Sequence, residues 1–140
     1  MKILSIKQPW ASLIVHGLKD IENRTWRTNY RGPLLVHASL RSDDITAADL
    51  VRYYGAFPPS DQPRGGIVGI VDIVDCVRPY SSRWYAPGCW GFVLANARPL
   101  PFVRWKGALS LRDAPRELLM MLKGSDEKEA AAEAAAQLLG

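Results

Sequence analysis

Apolar residues along the chain recur at two spacings, and the switches between them mark the elements. Lys2 to Ile6 reads as a short strand that stops at Gln8-Pro9. Trp10, Leu13 and Ile14 then recur at helical spacing. Pro9 suits the first turn of that helix, and Gly17 is placed to end it in a left-handed conformation. From Asp20 to Arg27 the β-branched and aromatic content rises, which predicts an extended segment. Tyr30-Arg31-Gly32-Pro33 turns the chain into another strand over Leu34–Ser39. Asp43 or Asp44 is placed to cap a helix over Thr46 to Tyr54, and the run from Gly55 to Gly66, with Pro58, Pro59, Ser60 and Pro63, reads as polar loop.

Ile67 to Val77 is apolar at both parities, the pattern of a central strand, with Asp72 and Asp75 as exceptions; carboxylates buried there would need partners. Trp90 to Ala95 predicts a further strand ahead of Arg98-Pro99-Leu100-Pro101, and Phe102 to Leu111 one or two short ones. Asp113-Ala114-Pro115 opens a terminal helix, and its far part, Glu127 to Leu139, is rich in Ala and Glu with few large side chains to dock. Short strands with few helices suggest an α+β domain on a small bent sheet or open barrel. The lack of alternating helices disfavours a doubly wound parallel sheet.

Composition narrows this. A length of 140 residues fits one domain, and hydrophobic and charged fractions of 48% and 23% exclude a disordered, collagen-like or coiled-coil chain. No apolar run approaches the roughly 20 residues of a membrane span, and Lys7 interrupts the apolar stretch near the start, so neither a membrane helix nor a signal peptide is expected and the expected location is cytoplasmic. Cys76 and Cys89 cannot supply a disulfide framework, and with His16 and His37 they offer no zinc spacing; free thiols, no metal and no cofactor are expected. The net charge of +4 is unevenly spread. Residues 1–41 carry seven Lys/Arg against Asp20 and Glu22, whereas residues 113–140 carry three against six Asp/Glu. A cationic front that also holds Trp10, Trp26 and Tyr30 suits phosphates and stacked bases, although many basic proteins bind no nucleic acid.

Candidate chemistry is densest from Gly17 to Trp26. If residues 20–27 are extended, period two puts Glu22, Arg24 and Trp26 on one face and Ile21, Asn23 and Thr25 on the other, with Lys19 at the turn before them. Two cations, a carboxylate and an indole suit a nucleotide. The same spacing also fits a solvent-facing strand whose Glu22–Arg24 pair contributes about 0–1 kcal/mol, with Trp26 closing the core. Lys7, Gln8 and Trp10 flank the segment as wall or rim candidates, with Lys106 a further basic position; a Trp at a helix start is also an ordinary core anchor. Among possible catalytic groups, Lys19, Glu22 and His37 are the candidates, His37 being the natural titrating side chain near neutral pH.

Leu4-Ser5-Ile6-Lys7-Gln8-Pro9-Trp10-Ala11-Ser12-Leu13 followed by Gly17-x-Lys19-x-x-Glu22-x-Arg24 resembles the ASCH domain, a PUA-like family with a GxKxxExR signature. The likeness continues through Tyr30-Arg31-Gly32, His37-Ala38-Ser39, Gly65 to Cys76 and Trp90 to Leu94. It implies a PUA-like small bent β-barrel with flanking helices over residues 1–112, leaving 113–140 as a helical extension. It also implies RNA, or another nucleic acid or nucleotide, bound in a basic cleft lined by Lys7, Gln8, Trp10, Lys19, Glu22, Arg24 and Trp26. One branch of the family deacylates N4-acetylcytidine with a Lys/Thr/Glu set, and another member is described as cleaving RNA, so a small hydrolase is the alternative. Here Glu22 stands where that branch has its threonine nucleophile, and alternation would turn Thr25 away from Glu22.

Overall fold

Alternation in the strands sorts apolar side chains onto two faces, and each face collects its own cover. The computed structural model describes residues 1–139, and the side chains of all of these but 125–130 and 133. The elements in chain order are β1 (Lys2–Gln8), α1 (Trp10–Val15), β2 (Ile21–Arg24), β3 (Gly32–Ser42), α2 (Ala47–Tyr54), β4 (Gly66–Val77), β5 (Trp90–Arg104), β6 (Arg112–Asp113) and α3 (Arg116–Leu139). The strands form one sheet in the order β2-β5-β4-β3-β1-β6, curled into a half-barrel with flanking helices, which is the expected α+β bent-barrel architecture. Among the described residues, only β1 and β3 pair in parallel.

On one face Leu4, Ile6, Leu34, Val36, Val68 and Val71 pack with Ala11, Ile14 and Val15 of α1. Their chain neighbours Ile3, Leu35 and Ile67 point the other way and meet Val103, Leu118 and Leu122, so the first turns of α3 close the opposite face. At six residues α1 is too short to be stable alone, and the burial of every residue from Ala11 to Val15 holds it in place. Gly69 allows that approach, since a Cβ there would stand 2.5 Å from Val15 Cγ1 and 2.6 Å from the Arg98 carbonyl oxygen. No helix among the described residues is long and apolar enough to cross a membrane.

Three local expectations change. The cap of α2 is Thr46, whose hydroxyl accepts from Asp49 N at 3.0 Å: the helix starts at Ala47, so Asp43 and Asp44 stand ahead of the cap position. Asp72 and Asp75 are not buried: β3 covers β4 only as far as Ile73, and beyond it Asp75 stands at the surface 3.5 Å from Arg31, while Asp72 accepts from Asn96 Nδ2 at 2.9 Å. In place of separate short strands, β5 runs unbroken through Pro99 and Pro101 to Arg104. Its far edge is paired with β2 only over Trp90 to Val93, so the prolines fall where one side carries no ladder. Three register shifts against β4 absorb the bends.

Candidate functional site

The signature segment folds inward because α1 stops abruptly. Gly17 takes φ +77°, and the N–H groups of Leu18 and Lys19 both donate to the Leu13 carbonyl, at 2.9 and 3.1 Å. This turns the Lys19 side chain into the protein, where it is 5% exposed. β2 then pairs with β5, setting Glu22 opposite Phe92 and Arg24 opposite Trp90. Glu22, 7% exposed, accepts on Oε2 from Arg24 Nη2 at 2.9 Å and from Arg24 Nε at 3.1 Å, while its Oε1 lies 3.5 Å from Lys19 Nζ. Lys19 Nζ also donates to the Ile21 carbonyl, and Arg24 Nη2 donates to the Ser5 carbonyl at 2.8 Å. Burial pushes the Lys19 ammonium below the usual lysine range; the charge of Glu22, and less so Asp20, opposes this, and Arg24 adds to it. Glu22 is thus an orienting anion held between two cations.

These groups floor a cavity of 570 Å³ whose walls are aromatic. Tyr54 at the end of α2 stacks on Trp84 at 4.6 Å and 7°, and Trp10 sets its edge against both, at 5.8 and 6.4 Å. Asn23 ties the Trp84 loop to β2, donating from Nδ2 to the Trp84 carbonyl at 2.8 Å and accepting on Oδ1 from Ala86 N at 2.9 Å. Trp26 leans edge-on to Phe92 at 5.3 Å. At the rim Asp43 accepts from Trp10 Nε1 and lies 3.5 Å from Lys7 Nζ. Aromatic rings and a guanidinium lining one cavity can stack a base and neutralise a phosphate.

Residues 4–102 match the model of the ASCH domain. The chain belongs to the ASCH domain family. It is 38% identical over 81 residues to Activating signal cointegrator 1 of Homo sapiens, and equally to that of Mus musculus. The match takes in 53% of this chain and only 14% of either relative. Among solved structures, ASCH from Zymomonas mobilis superposes with a TM-score of 0.60 at 14% identity, covering 88% of this chain and 93% of that one. A mutant of that protein gives 0.57 at 15% identity, covering 88% and 96%. At such identities the likeness carries the fold, which is PUA-like.

In this ASCH domain Lys7, Trp10, Lys19, Glu22, Arg24 and Trp26 all line the one cavity. Gln8 does not. Its side chain is fully buried, donating from Nε2 to the Pro63 carbonyl at 2.8 Å and accepting on Oε1 from Ser12 N at 2.9 Å, so it fastens the start of α1 to the long loop. His37 is 2% exposed and does not line this cavity: its Nε2 donates to the Trp105 carbonyl at 2.7 Å, which leaves Nδ1 to accept from the Ser5 hydroxyl at 3.1 Å. Thr25 corrects the alternation argument: β2 ends at Arg24, and Thr25 lines the cavity. Ser5, Asn23, Tyr54, Trp84 and Tyr85 also line it and were not anticipated; a Trp-Tyr pair in a loop of Ser, Pro and Gly was the available signal. Both cysteines are free thiols, and among the described residues no group of three or more His, Cys, Asp or Glu could hold a metal.

Proposed function

We propose that this ASCH domain binds single-stranded RNA, seating one base in the aromatic slot above Lys19, Glu22 and Arg24. The observation that supports this best is the pairing, in one cavity, of the half-buried Trp10, Trp26 and Tyr54 rings with the Arg24 guanidinium. Neutral rings alone would suit any flat ligand, and cations alone any anion; together they fit a base joined to a phosphate. The family's link to RNA binding points the same way. Fluorescence anisotropy with a labelled single-stranded RNA should give an affinity that falls as salt rises, with a slope of about 0.7 per phosphate contact on logarithmic axes. Trp26→Ala, at a ring that lines the cavity and is only half-buried, should weaken binding by roughly 5- to 150-fold, the loss of one stacked base at about 1–3 kcal/mol. Arg24→Ala and Lys19→Ala should weaken it too. Salt-independent binding, or full affinity in all three variants, would remove the slot from consideration.

A hydrolase acting on a modified nucleoside is the second reading, because the Thr25 hydroxyl shares the cavity with an amine whose proton affinity is lowered. In that chemistry Thr25 Oγ attacks the acyl carbon, the amine leaves, and water cleaves the resulting ester. Among the described hydrogen bonds none joins Lys19 to Thr25; the Lys19 amine is committed to the Ile21 carbonyl and Glu22. Mass spectrometry of the protein incubated with N4-acetylcytidine should therefore detect no acyl group on Thr25, and finding one would put the hydrolase ahead of the binding module.

A further inference from the structure

A second cavity, of 820 Å³, lies against the first and shares Ser5, Lys7, Ser39, Ala108 and Leu109 with it. The two are neighbouring halves of one trough, and Ser5 is the partition. Its carbonyl accepts from Arg24 in the first half, while its hydroxyl meets His37 and accepts from Ala108 N at 3.2 Å in the second. Gly107 lets this loop lie flat on the floor, where a Cβ would stand 2.8 Å from His37 Cε1. The locked His37 ring is part of that floor.

Their charges differ sharply. Around the first half Lys7, Lys19 and Arg24 face Glu22 and Asp43, so the cations are nearly balanced by acids. Around the second, Lys7, Arg41, Arg64, Arg104 and Lys106 face no Asp or Glu. Among the described residues only Lys7 of these has an ion pair, with the rim Asp43. Yet the walls are apolar: Leu40 and Leu109 are 74% and 86% exposed, and Trp105, half-buried against the core, also lines the cavity. Inorganic anions need no such walls, and an apolar ligand needs no such ring of charge. A strand of nucleotides uses both, laying bases on the walls and phosphates toward the rim.

Resting on the RNA reading above, we propose that the second half of the trough carries the nucleotides next to the seated base. On this view phosphate attraction resides mainly in Arg41, Arg64, Arg104 and Lys106, outside the GxKxxExR signature, and the signature selects the base. The division of labour makes the two claims separable. Arg104 and Lys106 suit the test because both are exposed and neither makes a hydrogen bond or ion pair among those described.

Binding of a mononucleotide and of a mixed-sequence RNA octamer would be measured by calorimetry over a salt series, for the full chain, Arg24→Ala and the double variant Arg104→Ala/Lys106→Ala. The double variant should keep the mononucleotide affinity, lose octamer affinity by about tenfold or more at low salt, and show a salt slope smaller by about 1.4, the share of two phosphates. Arg24→Ala should lower mononucleotide affinity. Should the alanine pair misfold by circular dichroism, Arg104→Gln/Lys106→Gln replaces it with the same expectation. An octamer slope unchanged in the double variant, or an equal loss for both ligands, overturns the second half as a strand path and leaves the base slot standing. A wild-type chain that binds neither ligand overturns the RNA reading itself, and the extension with it. A glutamate-rich peptide displacing the octamer, with its own affinity lost in the double variant, would assign the trough to acidic proteins instead.

Discussion

Replacing Glu22 with alanine should destabilise the fold by about 3–5 kcal/mol, since it removes one partner of a buried ion pair and leaves the other behind. Lys19 is 5% exposed, and without Glu22 its ammonium keeps the Ile21 carbonyl, the Trp10 ring 5.9 Å away and the weaker attraction of Asp20, while Arg24 repels it. The Lys19 pKa, already lowered by burial, must fall further in the variant. The pH dependence follows from the sign. A lysine whose folded pKa lies below its unfolded value of 10.5 binds fewer protons folded than unfolded, so stability rises with pH between those two values. Below the folded pKa the cost of burying the charge is fully present. Urea unfolding should therefore find Glu22→Ala weakest near neutrality, with part of the loss recovered toward about pH 10, over a wider window than in the parent chain. The double variant Lys19→Met/Glu22→Leu should regain part of the stability, because it removes the more deeply buried charge, while Arg24, 24% exposed, still loses its carboxylate. A Glu22→Ala chain within about 1 kcal/mol of the parent, flat with pH, would mean that the two groups are not a buried unit.

The grouping of Lys19, Glu22 and Arg24 was legible in the chain because it is local. One glycine turn and two strand steps bring them together, and neither depends on distant partners. What surrounds them was not legible, since Tyr54, Trp84 and Tyr85 reach the cavity from elements far along the chain, and only the Asn23 bonds reveal which loop β2 recruits. Gln8 and His37 show a second limit. A polar side chain beside a binding motif looks the same in sequence whether it faces solvent or satisfies buried backbone groups, and both do the latter. Thr25 shows a third, because alternation predicts faces only while the strand lasts, and β2 ends one residue before it. The α2 cap fell to Thr46 because the helix starts at Ala47, past both Asp43 and Asp44, and Asp43 instead holds the Trp10 indole and Lys7. Strand β5 outlasted its prolines because pairing with β4 outweighed a local turn signal.

Truncation separates the two parts of α3. Its first turns place Leu118 and Leu122 among Ile3, Leu35, Ile67 and Val103, burying both leucines, whereas Leu138 and Leu139 near its end are exposed. A chain ending at Pro115 should lose about 4 kcal/mol or more, since each buried leucine removed costs at least about 2 kcal/mol. Ending at Gly124 keeps both leucines and should change stability by less than about 1 kcal/mol, a fall in Tm of a few degrees at most. A large loss of Tm in the longer truncate would make the whole helix part of the core. The same truncate tests charge. Residues 125–140 carry Lys128 against Asp126, Glu127, Glu129 and Glu133, a net of −3, so their removal takes the chain from +4 to +7. None of the described α3 residues lines either cavity, so the expected influence on RNA is one through space. Such an influence decays over about 8 Å at physiological salt, so the truncate should bind RNA more tightly at low ionic strength and equally well at high. Weaker RNA binding by this truncate at low salt would mean that the acidic tail contributes contacts to the complex.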